Sequence, residues 1–463
     1  MAYIDVKEAA ALWGIEERTV TRLARDGRID GAKKEGGAWR IPRDTEKPID
    51  GRRKEATAKI NATKASLPEN AGVRVSRSFQ AKYGKKPQDI AFTPYRVCPI
   101  GAHSDHNFGK ITGFAIDKGI YIAYGPKMNG VVEISSLQFP KRAQWHVMNV
   151  PENRQGDWAD FLRGATIALQ KRYSLRIGLC AVIDGELPIG GLSSSAAVII
   201  TFLSCLARLN NLVLAPEEMI ALSKEAENNY LGVNCGKLDQ SCEVLCRENH
   251  LLFLDTKDDS YELIPNHPNL PPFAFMILFS GIERSLVNSK FNVRIEEARC
   301  AAYAIKAFAG MEYDRLKDTN LRDIPREVYE EHKHKLPDSW RKRAEHWYTE
   351  FDRVCQGAEA WRRGDLKEYG RLSFESGRSS IENWETGSPE LITLYNLMTE
   401  CPGIYGGRFS GAGFKGCCMA IVDPEKIEQI SEYITKRYLE AFPHLAGKFS
   451  IHICHSANGV KLK

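Results

Sequence analysis

The sequence has no uninterrupted apolar run near the ~18 residues that a membrane-spanning helix needs. Its first ten residues, MAYIDVKEAA, place charges where a secretory signal would carry an apolar core. Both absences read as a soluble, cytoplasmic chain without a membrane partner. None of the twelve cysteines falls in a CxxC pair, and the adjacent Cys417 and Cys418 suit neither a zinc site nor a disulfide framework. Reduced, mostly buried thiols are expected. A Walker P-loop is missing too, because no lysine follows the glycines of the turn at Gly190 and Gly191. Net charge is only +5, and residues 1–65, with fifteen Lys/Arg against eleven Asp/Glu, hold +4 of it. The rest of the chain is nearly neutral, which directs any polyanionic partner to the N-terminus.

What is present is ordinary globular material: 463 residues, 43% hydrophobic and 27% charged, enough for about three domains at roughly 150 residues each. The first is small. In residues 3–44, Asp5 followed by Glu8 is a capping-box start, Ala9, Leu12 and Trp13 give an apolar face, and Gly14 ends the helix. A second helix, about Glu17 to Arg25, sets Val20, Leu23 and Ala24 on one face and Arg18, Arg22 and Arg25 on the other. Glu16 is a poor N-cap for it. Gly36 and Gly37 turn a hairpin between Lys33/Lys34 and Trp39/Arg40. The whole resembles the helix-turn-helix of the MerR and excisionase families. That resemblance implies major-groove DNA binding through the three arginines, the hairpin acting as a wing, and pairing as a homodimer. Residues 1–46 are taken as this module and the polar stretch 47–72 as a linker.

Beyond residue 73 three segments carry chemistry. RVCPIGAHSDHNFG, residues 96–109, packs an arginine, two histidines and an aspartate into a stretch too short and interrupted for a core element. LPIGGLSSSAAVIITFLSCLARL, residues 187–209, is a Gly/Ser turn running into an apolar helix, whose free N–H groups suit phosphate, with Ser195 or a neighbour as N-cap. KEAENNYLGVNCGKLDQSCEVL, residues 224–245, separates Glu227 from Asp239 by a turn of small residues; a metal-holding carboxylate and a second carboxylate acting as base are what phosphoryl transfer requires. Read alone, the last segment is more readily two ordinary surface acids. His332, His334 and His346, interleaved with lysines, read as an exposed helical segment in preference to a metal cluster.

Taken in order, RVCPIGAHSDH resembles the galactokinase signature, GGLSSSAA the second motif of the GHMP kinases and GGRFSGAGFKGCCMAIV, residues 406–422, the third. The resemblance implies an α+β fold in which a ribosomal S5 domain 2-like half, residues 73–270, and a ferredoxin-like half, residues 271–463, hold sugar and ATP between them. It also implies roles. Asp239 is the base for the anomeric hydroxyl and Arg96 its electrostatic partner. Gly190, Gly191, Leu192, Ser193, Ser194, Ser195 and Ala196 cradle phosphate, and Glu227 with one serine, taken as Ser194, holds Mg2+. Ser410, Gly411, Ala412 and Gly413 form the third loop, while Ala102, His103, Asp105, Gly236 and Phe291 face the sugar.

Departures from the galactokinase pattern speak to substrate. Galactokinases carry Glu where this chain has Ala102, and that Glu reaches the hydroxyl on sugar carbon 6. A substrate carboxylate there would meet a like charge worth about 4 kcal/mol at ~4 Å and an effective dielectric of ~20. Alanine removes the repulsion, and His103 remains to donate. With the EEHKHKL, RAEHWY and SSIENWE segments, the pattern CPxGAHxDH most resembles the galacturonokinase branch, which implies D-galacturonate as acceptor. Phe291 replaces a sugar-reading tyrosine, so glucuronate stays open, as does neutral galactose on a shifted loop. The second motif is one residue short between Pro188 and Leu192, giving a tighter phosphate turn. Arg284, Lys290 and Arg294 are the cations considered for the substrate carboxylate. A rival from another class is a transcriptional regulator whose kinase fold only senses sugar and ATP.

Overall fold

The computed structural model describes residues 2–13, 15–27, 29–43, 45, 70–282, 291–312 and 314–462, in two compact units, Met1–Glu69 and Asn70–Lys463. In the first, the capping box forms as the sequence requires: Glu8 N donates to Asp5 Oδ1 at 2.8 Å and Asp5 N to Glu8 Oε2 at 3.2 Å. The helix they start, Val6–Trp13, buries Ala9, Ala10 and Trp13. Leu12 is 64% exposed, contrary to the expected face: at ~100° per residue, a face centred between Ala9 and Ala10 leaves position 12 about 110° away. Gly14, the expected stop, lies outside the described residues. The second helix, Glu17–Arg25, buries Val20, Leu23 and Ala24 and exposes Arg18, Arg22 and Arg25. Glu16 makes no cap bond; its carboxylate pairs with Arg18 instead. Strands β2 (Lys33–Glu35) and β3 (Ala38–Pro42) form the hairpin, with φ of 57° and 86° at Gly36 and Gly37, the double positive φ of a type I′ turn. The two-residue strand β1 (Tyr3–Ile4) joins β3 to give the order β1-β3-β2, a pairing too short to leave a periodic trace.

The second unit opens with a helix at Ala71–Tyr83, its N-cap Asn70 accepting from Gly72 N; it takes in the last two positions of the expected linker. Its larger sheet is built on β5 (Lys110–Lys127), which pairs with β4 (Asp89–Val97), β8 (Gly178–Gly185), β9 (His250–Asp255) and β15 (Ser456–Ala457). β6 (Val131–Ser136) runs parallel to β8, so the loops that follow β6 and β8 leave the sheet at the same end. A second sheet has the order β12 (Ile404–Phe409), β13 (Cys417–Val422), β11 (Ala274–Phe279), β14 (Ser450–Cys454), all antiparallel.

That second sheet is apolar on both faces, and the period of two along its strands divides the work. Met276, Leu278, Cys418 and Ala420 pack under Leu394, Met398, Ile430 and Tyr438 of the helices Pro389–Glu400 and Ile427–Ala441. Phe275, Ile277, Cys417 and Met419 join the main core with Phe114, Leu192 and Ile200. The neighbours Cys417 and Cys418 therefore point to opposite layers. All twelve cysteines are free thiols, nine of them buried.

A third apolar cluster lies between the helices Phe291–Phe308 and Asp338–Arg362 and includes Trp347 and Trp384. The 25-residue helix Asp338–Arg362, about 37 Å long, also carries His346. The expectation of an exposed histidine segment holds for His334 but not for His332 and His346, which are buried; the long helix turns His346 inward onto the loop after β4. Among the described residues no cluster of His, Cys, Asp and Glu is built to hold a metal alone, and no helix is long and apolar enough to cross a membrane.

Candidate active site

The loop after β4 is pinned from behind by that long helix. Gly101 N donates to Glu350 Oε1 at 2.6 Å, His346 Nε2 faces Ala102 O at 3.0 Å, and Trp347 Nε1 donates to Ser104 O at 3.1 Å. Burial pushes His346 down to about 4, so it is neutral and gives its Nε2 proton to that carbonyl while Nδ1 accepts from Ser379 Oγ. Gly101, at φ +110°, has no room for a side chain, since a Cβ would stand 2.7 Å from Ile111 Cα. The loop then turns left-handed at His103, φ 66°, whose ring stacks on Trp384 at 5.1 Å.

The Gly/Ser turn expected to cradle phosphate precedes the helix Ser194–Leu209. Gly190 and Gly191 both have positive φ, and Ser193 is the N-cap in a left-handed conformation with no side-chain cap bond, in place of Ser195. Leu192 and Ala196 are buried and offer only backbone. The turn interlocks with the third loop: a Cβ on Gly190 would stand 3.1 Å from Gly416 Cα, and one on Gly411 3.0 Å from Gly191 Cα.

Three charged side chains meet where these loops converge. Arg96, at the end of β4 and almost fully buried, donates through Nε to Asp239 Oδ1 at 2.8 Å, through a terminal nitrogen to the same oxygen at 2.7 Å, and to Gly191 O at 3.1 Å. Burial opposes its charge, but the Asp239 carboxylate outweighs that and holds its pKa above the ordinary arginine value. Asp239 stands in the first turn of the helix Leu238–Leu245. Glu227 belongs to a π-helical turn, Ala226–Leu231, a local irregularity of the sort that often marks functional sites. Its carboxylate accepts from Gln240 Nε2 at 2.7 Å, from Cys235 Sγ at 3.3 Å and from the Ser195 hydroxyl. Burial first and the nearby Asp239 second push Glu227 up to about 7.

Ser195, not Ser194, is thus the serine beside Glu227, because one further residue of helix turns its hydroxyl toward the carboxylate. The pair fits a divalent cation: Glu227 is a buried carboxyl short of positive charge, whereas Asp239 already has Arg96. Glu227 and Ser195 would hold such an ion through few protein ligands, as suits Mg2+, which usually also takes phosphate oxygens and water.

One pocket is lined by Arg96, Ala102, His103, Asp105, Ser195, Glu227, Gly236, Asp239, Phe291, Gly411 and Ala412, bringing together most of the residues singled out in the sequence. Asp105 Oδ2 accepts from Leu238 N at 3.1 Å, and only a glycine fits opposite it, since a Cβ on Gly236 would fall 1.9 Å away. Ser410 Oγ lies 3.4 Å from Arg96, and Gly413, at φ +73°, packs on Phe409. Arg294 is not brought in; it donates to Trp384 O and pairs with Glu297 and Glu385. Arg284 and Lys290 lie outside the described residues. Sequence reasoning did not single out His106, Gln240 and Phe409, which also line the pocket. All three sit inside the quoted motifs, while nothing local in the sequence shows that His346 and Trp384 pack behind this loop.

Comparison with known proteins shows the family. Residues 160–247 match the GHMP kinases N terminal domain, 358–440 the GHMP kinases C terminal domain, 77–126 the galactokinase galactose-binding signature and 3–45 a helix-turn-helix domain. The chain is 36% identical to a galacturonokinase of Arabidopsis thaliana, over 81% of this chain and 93% of that protein. It is 31% identical to a galactokinase of Roseiflexus sp. (strain RS-1), over 82% and 95%. In structure it is similar to Lactococcus lactis galactokinase complexed with galactose, with a TM-score of 0.76, 26% identity, and coverage of 84% of this chain and 98% of that one.

Proposed function

The chain belongs to the galactokinase family of GHMP kinases and is a sugar 1-kinase using ATP, and from that premise we propose that its acceptor is a uronic acid, D-galacturonate ahead of galactose. The observation that carries this reading is Ala102: in the pocket wall, beside His103, stands a methyl group where a carboxylate would repel an acidic sugar. In the reaction Asp239 takes the proton of the anomeric hydroxyl as it attacks the γ-phosphorus. Arg96 fixes the Asp239 carboxylate and stabilises the developing oxyanion. Glu227 and Ser195 would hold Mg2+, which when bound neutralises phosphate charge. The N–H groups of the Gly190–Ser195 turn face the phosphates.

A surface for the base of ATP lies close by. The loop after β6 starts beside the end of β8, the strand that leads into the Gly/Ser turn, with Leu137 N donating to Ile183 O. It carries Phe139, stacked on Trp158 at 6.0 Å, and a flat, partly exposed aromatic pair of this kind suits a purine.

ATP-dependent phosphorylation of galacturonate, glucuronate and galactose tests the assignment, with Asp239→Asn as control. A preference for galactose refutes the reading of Ala102. A second function rests on a separate observation: a helix-turn-helix match over residues 3–45 whose second helix exposes Arg18, Arg22 and Arg25 on one face. We infer that this module binds double-stranded DNA, as a homodimer. Mobility shift on DNA from upstream of the protein's own gene, repeated across salt concentrations, tests it; absence of salt-sensitive binding removes it. The retained Arg96–Asp239 pair favours turnover over mere sensing, since a sensor needs no base.

A further inference from the structure

His106 follows Asp105 in the motif-one loop and lines the sugar pocket together with Ala102 and His103. Its ring is buried, and the edge of Phe291 packs on it at 5.3 Å. The two ring nitrogens have different surroundings. Nε2 faces Asp105 Oδ1 at 3.6 Å, while Nδ1 has no hydrogen-bond partner; nor has Nε2 of His103. In a neutral imidazole one nitrogen carries the proton and the other a lone pair. The Asp105 carboxylate draws the proton to Nε2, which leaves the Nδ1 lone pair buried and unpartnered in a residue that lines the pocket. A sugar hydroxyl satisfies that lone pair by donating to it. A carboxylate has no proton to donate and is repelled.

From this asymmetry, and resting on the uronate reading above, we propose that His106 takes up one proton from solvent when a sugar carboxylate enters, its imidazolium then bridging Asp105 and the substrate carboxylate while His103 Nε2 donates alongside. No covalent bond forms or breaks; Nδ1 gains the proton. The surrounding charges leave His106 poised for the change. Burial holds it below the ordinary histidine value in the free protein; Asp105 beside it and Asp239 on the Leu238–Leu245 helix favour its charge; Lys224 on the Pro216–Glu225 helix and Arg299 on the Phe291–Phe308 helix oppose it. His103, also facing this space, is held neutral by burial and by Arg408. A substrate carboxylate adds the missing negative charge, so binding and protonation are linked.

Calorimetric titration of the full chain with galacturonate, in the presence of a non-hydrolysable ATP analogue, near pH 7.5 and in two buffers of different ionisation enthalpy, measures the uptake. About one proton per bound uronate is expected from linkage, and none for galactose titrated in the same way. In His106→Asn the uptake disappears and galacturonate affinity falls about tenfold, the loss of one charge-assisted bond. Galacturonate binding without proton uptake in the wild-type protein overturns this proposal and leaves the uronate reading standing. Failure of galacturonate to bind where galactose does overturns both. If His106→Asn does not fold, the two-buffer measurement on the wild type decides alone.

Discussion

Replacing Ala102 with glutamate puts the assignment of substrate under direct load. The Ala102 carbonyl is held by His346 and its neighbour Gly101 by Glu350, so the backbone of this loop is fixed and the new side chain must itself enter the pocket. Its carboxylate would stand ~4 to 6 Å from one on sugar carbon 6. At an effective dielectric of ~20, Coulomb's law gives about 4 kcal/mol of repulsion at the nearer distance and about 3 kcal/mol at the farther. This corresponds to a loss of between a hundredfold and a thousandfold in kcat/KM for galacturonate. A neutral sugar feels no such term and gains an acceptor for its 6-hydroxyl, so the galacturonate-to-galactose ratio of kcat/KM should collapse by at least the same factor. Steady-state ADP release on both sugars reads the ratio, and thermal melting of the variant checks that the loop still folds. A ratio that moves less than tenfold in a folded variant refutes the argument from Ala102.

Asp239→Asn should lower kcat by roughly 10²- to 10⁴-fold, the usual contribution of a positioned base, with a much smaller change in sugar KM; an unchanged kcat assigns the proton transfer elsewhere. Because the Glu227 carboxyl is pushed up to about 7, a proton competes with Mg2+ below that pH, and the Mg2+ concentration for half-maximal rate should be about tenfold higher at pH 6 than at pH 8; a flat requirement shows that Glu227 is not a ligand. Glu243 is fully buried with neither carboxyl oxygen hydrogen-bonded, and burial raises its pKa well above 4.5. The folded protein therefore keeps this proton after the unfolded chain has released it, so its contribution to stability declines as pH rises above about 4.5. Glu243→Gln, with no proton to lose, should gain in Tm relative to wild type as pH is raised from 5 to 8, and a constant difference removes the claim that Glu243 is neutral when folded.

What could be read from the sequence was whatever lies within one segment. The period of helix two placed Val20, Leu23 and Ala24 inside and three arginines outside, and the capping residues fixed where helix one begins. Arg96, Glu227 and Asp239 stood in motifs whose residue types already named a chemistry. Where the sequence misled, a distant partner decided the outcome. Ser194 and Ser195 are equal candidates until the helix phase relative to Glu227 is known. His346 reads as surface because lysines precede it, yet it is buried by contact with a loop 244 positions away. The strand AFMILF, residues 274–279, has no polar alternation because both of its faces are covered, so its period of two becomes visible only in which core each residue joins.

The same division explains how the site is assembled. Asp239 and Glu227 belong to the first half of the catalytic body, and Ser410 and Gly411 to the second; their common reference is backbone, with Gly190 against Gly416 and Gly191 against Gly411. Contacts between α-carbons have no rotamers to adjust, so the spacing of phosphate turn and third loop is set by the docking of the second sheet on the main core through Phe275, Ile277 and Met419. Arg96 reads both sides of that junction at once, donating to Gly191 O and Asp239 while facing Ser410. With Asp239 as the proposed base, the same guanidinium that orients it also contacts the turn proposed for phosphate, which would tie proton removal from the sugar to correct placement of the phosphoryl donor.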